Sequence, residues 1–165
     1  MNIIPQLRCF SLPRWQTLPE LDLYMDQLIS LLEKYLAPMI EADQDKVISR
    51  AIINNYVKLK IIPATVKKRY DRRHIAYLII LCMLKSVLPL PVISQMLETN
   101  LKETPLDVLY DRFCEIAEMR MAEIALMAQN AQEHLPDLAF DAALRSVTGA
   151  YLAQLITEDE EGTQE

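Results

Sequence analysis

The chain has 165 residues, 52% of them apolar, which is enough for one domain with a sizeable core or a small domain with a helical appendage. Two glycines against nine prolines argue against the tight turns of a β-rich fold and for helices joined at Pro-marked corners. The formal net charge of -6 excludes a general nucleic-acid binder, and the apolar content excludes extended disorder away from the ends.

Residues 1–19 are interrupted by Pro5, Pro13 and Pro19 and read as an extended N-terminal arm whose Trp15 and leucines pack on the body. From about Glu20 to Leu36, Leu21, Tyr24, Leu28, Leu31, Leu32 and Tyr35 recur at helical spacing and predict an amphipathic helix. Pro38 and the acidic stretch after it predict a loop over residues 40–47. Ser49 then suits the N-cap of a helix running to about Leu59, with Ile52, Ile53, Tyr56 and Leu59 inward.

Arg50, Asn54 and Lys58 recur every four residues and line the outer side of that helix, with Asn55 beside them. Arginine pairs bidentately with guanine and asparagine with adenine, each good pair giving roughly 1–3 kcal/mol of discrimination. The same spacing also suits an ordinary solvated helix face. Pro63 stops the helix, and residues 64–70 predict a short strand or wing. Its Lys67, Lys68 and Arg69 are placed for phosphates or a minor groove.

Asp71 caps the next predicted helix, an apolar spine to about Val87 with Arg72 and Arg73 in its first turn. Cations there oppose the helix dipole and point to an anion nearby. Leu88–Pro91 reads as a hinge into a short helix from Val92 to about Glu98. Thr104 and Pro105 open a long helix to about His134, with Leu109, Phe113, Ile116, Ile124 and Met127 on one side. Pro136 breaks it, a last helix spans Asp137–Ile156, and residues 158–165 form an acidic tail.

Charge is segregated along this order. Lys46–Arg73 holds nine basic residues and the single acid Asp71, so this stretch is +8 and the remainder -14. Such a footprint suits one phosphate-facing surface. No secretory leader is visible, and the longest apolar run, Ile75–Leu84, falls short of the roughly 20 residues that cross a bilayer. Cys9, Cys82 and Cys114 are odd in number and far apart, as expected of reduced thiols in a cytoplasmic protein.

NNYVKLKIIP at Asn54–Pro63, KKRYD at Lys67–Asp71 and VLPLPVISQML at Val87–Leu97 resemble the winged helix-turn-helix of MerR-type regulators, over about a third of the chain. LPRW at Leu12–Trp15, DLYMDQ at Asp22–Gln27, INNYVKLK at Ile53–Lys60 and YDRRHIAYLI at Tyr70–Ile79 resemble an uncharacterised bacterial family, domain of unknown function 1836. The second resemblance implies a fold and a regulator role but no activity. MerR-like chains carry glycine where this one has Lys60, so either the turn differs there or Lys60 is instead placed there to meet a phosphate. Their short first helix is not obvious here either; the Glu20–Leu36 helix takes its place. Val87 and Leu88 replace their Gly-Phe corner.

His74 and His134 have no ligand partners at metal spacing, and no nucleophile elbow, phosphate loop or HExxH occurs. No enzyme, cofactor or metal site is expected. Met119, Met121 and Met127 suit an effector pocket or, equally, core or dimer packing. The expectation is therefore an all-α chain: arm 1–19, a MerR-like winged helix-turn-helix with its preceding helix over 20–100, and a C-terminal helical hairpin over 104–157 that dimerises or meets a partner. The site residues are Arg50, Asn54, Asn55, Lys58, Lys60, Lys67, Lys68, Arg69, Arg72 and Arg73, and the partners are double-stranded DNA and a second copy. The alternative is a non-catalytic interaction module that takes an acidic protein on the same surface.

Overall fold

In the computed structural model, residues 4–37, 39, 48–131 and 135–162 are described. They form seven α-helices: α1 (Ile4–Arg8), α2 (Met25–Leu36), α3 (Arg50–Lys58), α4 (Arg72–Leu84), α5 (Leu90–Glu103), α6 (Leu106–Asn130) and α7 (Leu135–Gly162), with a 3-10 turn at Trp15–Thr17. The only β pairings among these residues are two isolated antiparallel bridges, Leu23 with Tyr70 and Val66 with Arg69, so the chain is all-α. The loop expected at 40–47 with Lys46, and also Pro38, His134 and tail residues 163–165, lie outside the described residues.

The core is organised around α4, whose Ile75, Leu78, Ile79 and Leu81 are fully buried. Asp71 starts this helix, accepting from the backbone N–H groups of Arg73 at 3.0 Å and His74 at 3.3 Å. Helices α2, α5 and α6 pack against α4, and α7 packs against α5 and α6. One continuous cluster links Phe10, Leu12 and Leu18 of the arm through α2, α3 and α4 to Leu109, Tyr110 and Cys114 of α6.

The arm expected to be extended instead holds the short helix α1 and the 3-10 turn, and several boundaries differ from the expected ones for local reasons. The helix expected from Glu20 begins at Met25, because Leu23 is drawn into two backbone bonds with Tyr70 of 2.8 and 2.9 Å. Leu21 and Tyr24 are consequently exposed instead of lying on the buried stripe, and Leu59 after α3 is exposed as well. Helix α4 ends at Leu84, short of Val87. Helix α5 starts at Leu90 and reaches Glu103, twice the expected span, since Pro91 falls in a first turn where its missing N–H is not needed. Along α6 the buried stripe is Leu109, Tyr110, Cys114, Ala125 and Ala128, which leaves Ile116 and Ile124 exposed. Helix α7 runs on through the acidic residues to Gly162.

Candidate nucleic-acid interface

The Ser49 hydroxyl caps α3 by accepting from the Ile52 N–H at 3.3 Å. Burial of Ile53 and Tyr56 fixes the helix's rotation, so Arg50, Asn54, Asn55 and Lys58 all face solvent. At its C-terminus Lys60 has φ 59°. The Ile61 N–H donates to the Tyr56 carbonyl at 3.0 Å and the Lys60 N–H to the Val57 carbonyl at 3.1 Å, the pattern of a Schellman end. Of the two readings for this position, the different turn is therefore not found: Lys60 takes the left-handed conformation itself.

The segment expected to be a wing, residues 64–70, is a minimal hairpin. Val66 and Arg69 are bridged, with the Arg69 N–H donating to the Val66 carbonyl at 2.9 Å. Between them Lys67 has φ 50° and Lys68 φ 58°, the two positive angles of a type I′ turn. Among the described residues, the non-glycine positions with positive φ are these three lysines. Each costs roughly 1–2 kcal/mol relative to a right-handed conformation. Backbone strain of this kind collects at functional positions.

His74, only 2% exposed, ties the two ends of the wing together. Its Nε2 lies 3.1 Å from the Pro63 carbonyl, which can only accept, so Nε2 carries a hydrogen and donates. Its Nδ1 lies 3.0 Å from the Asp71 N and 2.8 Å from the Asp71 carboxylate. Tyr70 packs edge-on against the ring at 5.4 Å. Burial pushes the Asp71 carboxyl up, but hydrogen bonds from Arg73 and His74 outweigh it and hold it below its ordinary value. Sequence reasoning treated His74 only as a possible ligand; the signal it missed was a histidine three residues after a capping aspartate.

Between α3 and the wing lies an open groove of about 460 Å³. Arg50, Asn54 and Lys58 line it from α3, Thr65, Lys68 and Tyr70 from the wing side, with Met25 and Val57 also at its wall. Four of the ten expected site residues therefore meet at one place: Arg50, Asn54, Lys58 and Lys68. Asn55, Lys60 and Lys67 are exposed but outside this lining.

The arginines are engaged within the fold. Arg50 forms an exposed ion pair with Asp26 of α2. Arg69 stacks 4.1 Å over the Tyr24 ring and donates to its hydroxyl at 2.6 Å. Arg73 folds back onto the Asp71 carboxylate at 2.9 and 2.6 Å. Arg72 turns towards the arm, donating to the Leu18 carbonyl at 3.0 Å, 3.5 Å from Glu20 and 5.7 Å from the Trp15 ring. The basic surface of α3, its C-terminal end and the 64–70 hairpin, a ridge beside the groove, is thus sorted by residue type: no described residue pairs with Lys58, Lys60, Lys67 or Lys68.

A second polar constellation was not foreseen. Arg14 grips Glu118 of α6 in a bidentate pair at 2.8 and 2.6 Å, and the Leu12 N–H donates to the same carboxylate at 2.9 Å. The Trp15 N–H donates to Asp111 at 2.7 Å, and the buried Tyr110 hydroxyl to the Pro13 carbonyl at 2.8 Å. The Arg14 bond, more than burial opposes it, holds the Glu118 carboxyl below its ordinary range. LPRW therefore docks the arm on α6. Cys82 and Cys114 are buried, and burial pushes both thiols up to about 11, so they stay protonated.

Between α6 and α7 runs a larger apolar groove of about 850 Å³, with Ile124 and Met127 on one side and Ala142, Gly149 and Leu152 on the other. Met121 packs against the core and Met119 is exposed. Among the described residues there is no cluster of three or more His, Cys, Asp or Glu suited to a metal ion. None of their helices is long and apolar enough to cross a membrane. A family model described as a domain of unknown function (DUF1836) matches residues 13–113. No curated protein and no solved structure matches the chain.

Proposed function

The chain belongs to this family of unknown function, and we propose that it is a non-catalytic, DNA-binding transcriptional regulator built on a MerR-like winged helix-turn-helix. The observation that carries the reading is the shared groove edge of Arg50, Asn54 and Lys58 with Lys68, beside lysines that no described residue neutralises. In this reading α3 enters a major groove, where Asn54 faces adenine and Arg50 guanine. The Arg50–Asp26 pair opens at little cost, since exposed ion pairs contribute about 0–1 kcal/mol. Lys58, Lys60, Lys67 and Lys68 meet phosphates and fix the register without reading sequence.

The competing reading is an acidic protein partner on the same ridge. The absence of a turn glycine at position 60 would favour that reading by weakening the MerR likeness, but Lys60 adopts the glycine conformation. Anisotropy titrations of the full chain on pooled genomic duplexes, repeated across salt, separate the two. A regulator gives a log–log salt slope of several units and keeps a preference for selected fragments. Lys68→Ala should weaken all duplexes alike and lower the slope by about one, whereas Asn54→Ala should erase the preference between fragments. Equal, negligible effects of both changes would remove the groove from the mechanism.

A further inference from the structure

The two nitrogens of the buried His74 ring are not equally served. Nε2 has one partner, the Pro63 carbonyl, to which it donates at 3.1 Å. Nδ1 has two, of opposite kind. The Asp71 N–H, a donor, lies at 3.0 Å, and the Asp71 carboxylate, an acceptor, at 2.8 Å. A neutral ring with its hydrogen on Nε2 accepts from that N–H but turns a lone pair on the carboxylate. A ring protonated on both nitrogens donates to the carboxylate but leaves the N–H facing another hydrogen. The site therefore holds half of each arrangement, and one proton on Nδ1 decides between them. Histidine is the side chain that changes charge between about pH 5 and 8.

The backbone carries this choice outwards. The Asp71 N–H and the Tyr70 C=O belong to one planar peptide, so neither turns without the other. That carbonyl accepts from the Leu23 N–H at 2.8 Å, half of the bridge that ties the hairpin to the segment ahead of α2. We propose that His74 is a proton latch: protonation of Nδ1 expels the Asp71 N–H, turns the Tyr70–Asp71 peptide and releases the Leu23 N–H from the hairpin. The Asp71 carboxylate is the group that holds the protonated ring, and Arg73 binds its other oxygen at 2.9 and 2.6 Å. Tyr70 meets the ring edge-on, and burial raises its hydroxyl, so it stays neutral over this range. The loop after α3 contributes only the uncharged Pro63 carbonyl. The Tyr70 N–H bond to Leu23 and the stack of Arg69 over Tyr24 remain, so the hairpin loosens without detaching. Acid thereby changes how Lys67, Lys68 and Arg69 are presented. The latch concerns the hairpin's attachment and stands whether or not the groove beside it binds DNA.

Two-dimensional NMR of the full chain between about pH 8 and 5 reads both ends of the latch, with His134→Gln removing the other ring's signals. The His74 Nδ1 resonance should pass from an unprotonated nitrogen to a protonated one. The Leu23 amide proton should shift upfield, as a lost hydrogen bond requires, with the same midpoint. His74→Asn, whose carboxamide oxygen takes the Nδ1 position as a fixed acceptor, should leave Leu23 unchanged throughout. Asp71→Asn is the second variant: it keeps a capping oxygen but removes the charge that holds the protonated ring, so the Leu23 shift should move to lower pH. A ring that titrates while Leu23 stays still would overturn the proposal. So would a ring that does not titrate in this range, a proton on Nδ1 already at the alkaline end, or a Leu23 shift with the same midpoint in either variant.

Discussion

Along the arm-docking seam, Arg14 is held by Glu118 and Arg72 by the Leu18 carbonyl beside Trp15, whereas the four ridge lysines have no partner among the described residues. The difference follows from chemistry. A guanidinium is a planar fork that satisfies two acceptors at once and stacks on aromatic rings, so it can fix one segment against another. A lysine ammonium is a strongly hydrated point charge on a flexible stem. Three of the four ridge lysines also sit in backbone conformations that glycine would occupy without strain. The fold has a use for its arginines that can be stated contact by contact. No described residue pairs with these lysines, which leaves them available to the phosphates of the proposed reading.

The sharpest way to break that contrast is at the seam. Arg14→Ala removes both charge-assisted bonds and leaves the Glu118 carboxylate, half-buried, with only the Leu12 N–H. Loss of hydrogen bonds to a charged group costs about 2 kcal/mol, which for a chain of this size lowers the melting temperature by roughly 4–8 °C. Duplex affinity of the folded protein should be unchanged. If affinity falls in step with stability, the arm belongs to the binding surface and the two regions are not separate.

How much of this was legible in the residues depends on the range of the interaction. The caps at Ser49 and Asp71 and the outward row of Arg50, Asn54 and Lys58 are local, set within one or two helical turns, and they appear where the spacing put them. The start of α2 was not legible, because the strand-like bonds of Leu23 come from Tyr70, 47 residues on. The grip of Arg14 on Glu118 spans 104 residues and left no periodic trace. The rotation of α6 was missed for a related reason: Tyr110 is buried by its bond to Pro13, so the inward stripe is not the most apolar one. For the site, the charge segregation was visible, but its division into engaged arginines and unpartnered lysines depends on partners from α2 and the arm.

A smaller effect sharpens the other half of the contrast. Lys67→Asn together with Lys68→Gly installs the dipeptide that a type I′ turn prefers. Relief of the two left-handed lysines should stabilise the chain by about 1 kcal/mol, seen as a higher urea midpoint with an unchanged slope. The same variant should bind duplex DNA more weakly and with a shallower salt dependence. A gain in stability with a loss of binding is the signature of residues kept for function at the expense of the fold. A gain in stability with binding intact would make the strain incidental.

The smallest expected effect concerns the joint between wing and α4. Burial raises the Asp71 carboxyl, yet the bonds from Arg73 and His74 leave it below its ordinary value in the folded chain. A depressed folded-state value means that the ionised carboxylate stabilises the native state. That contribution is complete above the unfolded value near pH ~4 and is lost as the pH falls through the lower, folded one. Asp71→Asn keeps an N-capping oxygen but not the charge. Its destabilisation, about 1 kcal/mol or less at neutral pH, should therefore shrink as urea titrations are carried below pH 4, and wild type and variant should converge. A gap that stays constant into acid would assign the joint to cap geometry alone, with His74 and not the carboxylate charge holding the wing in place.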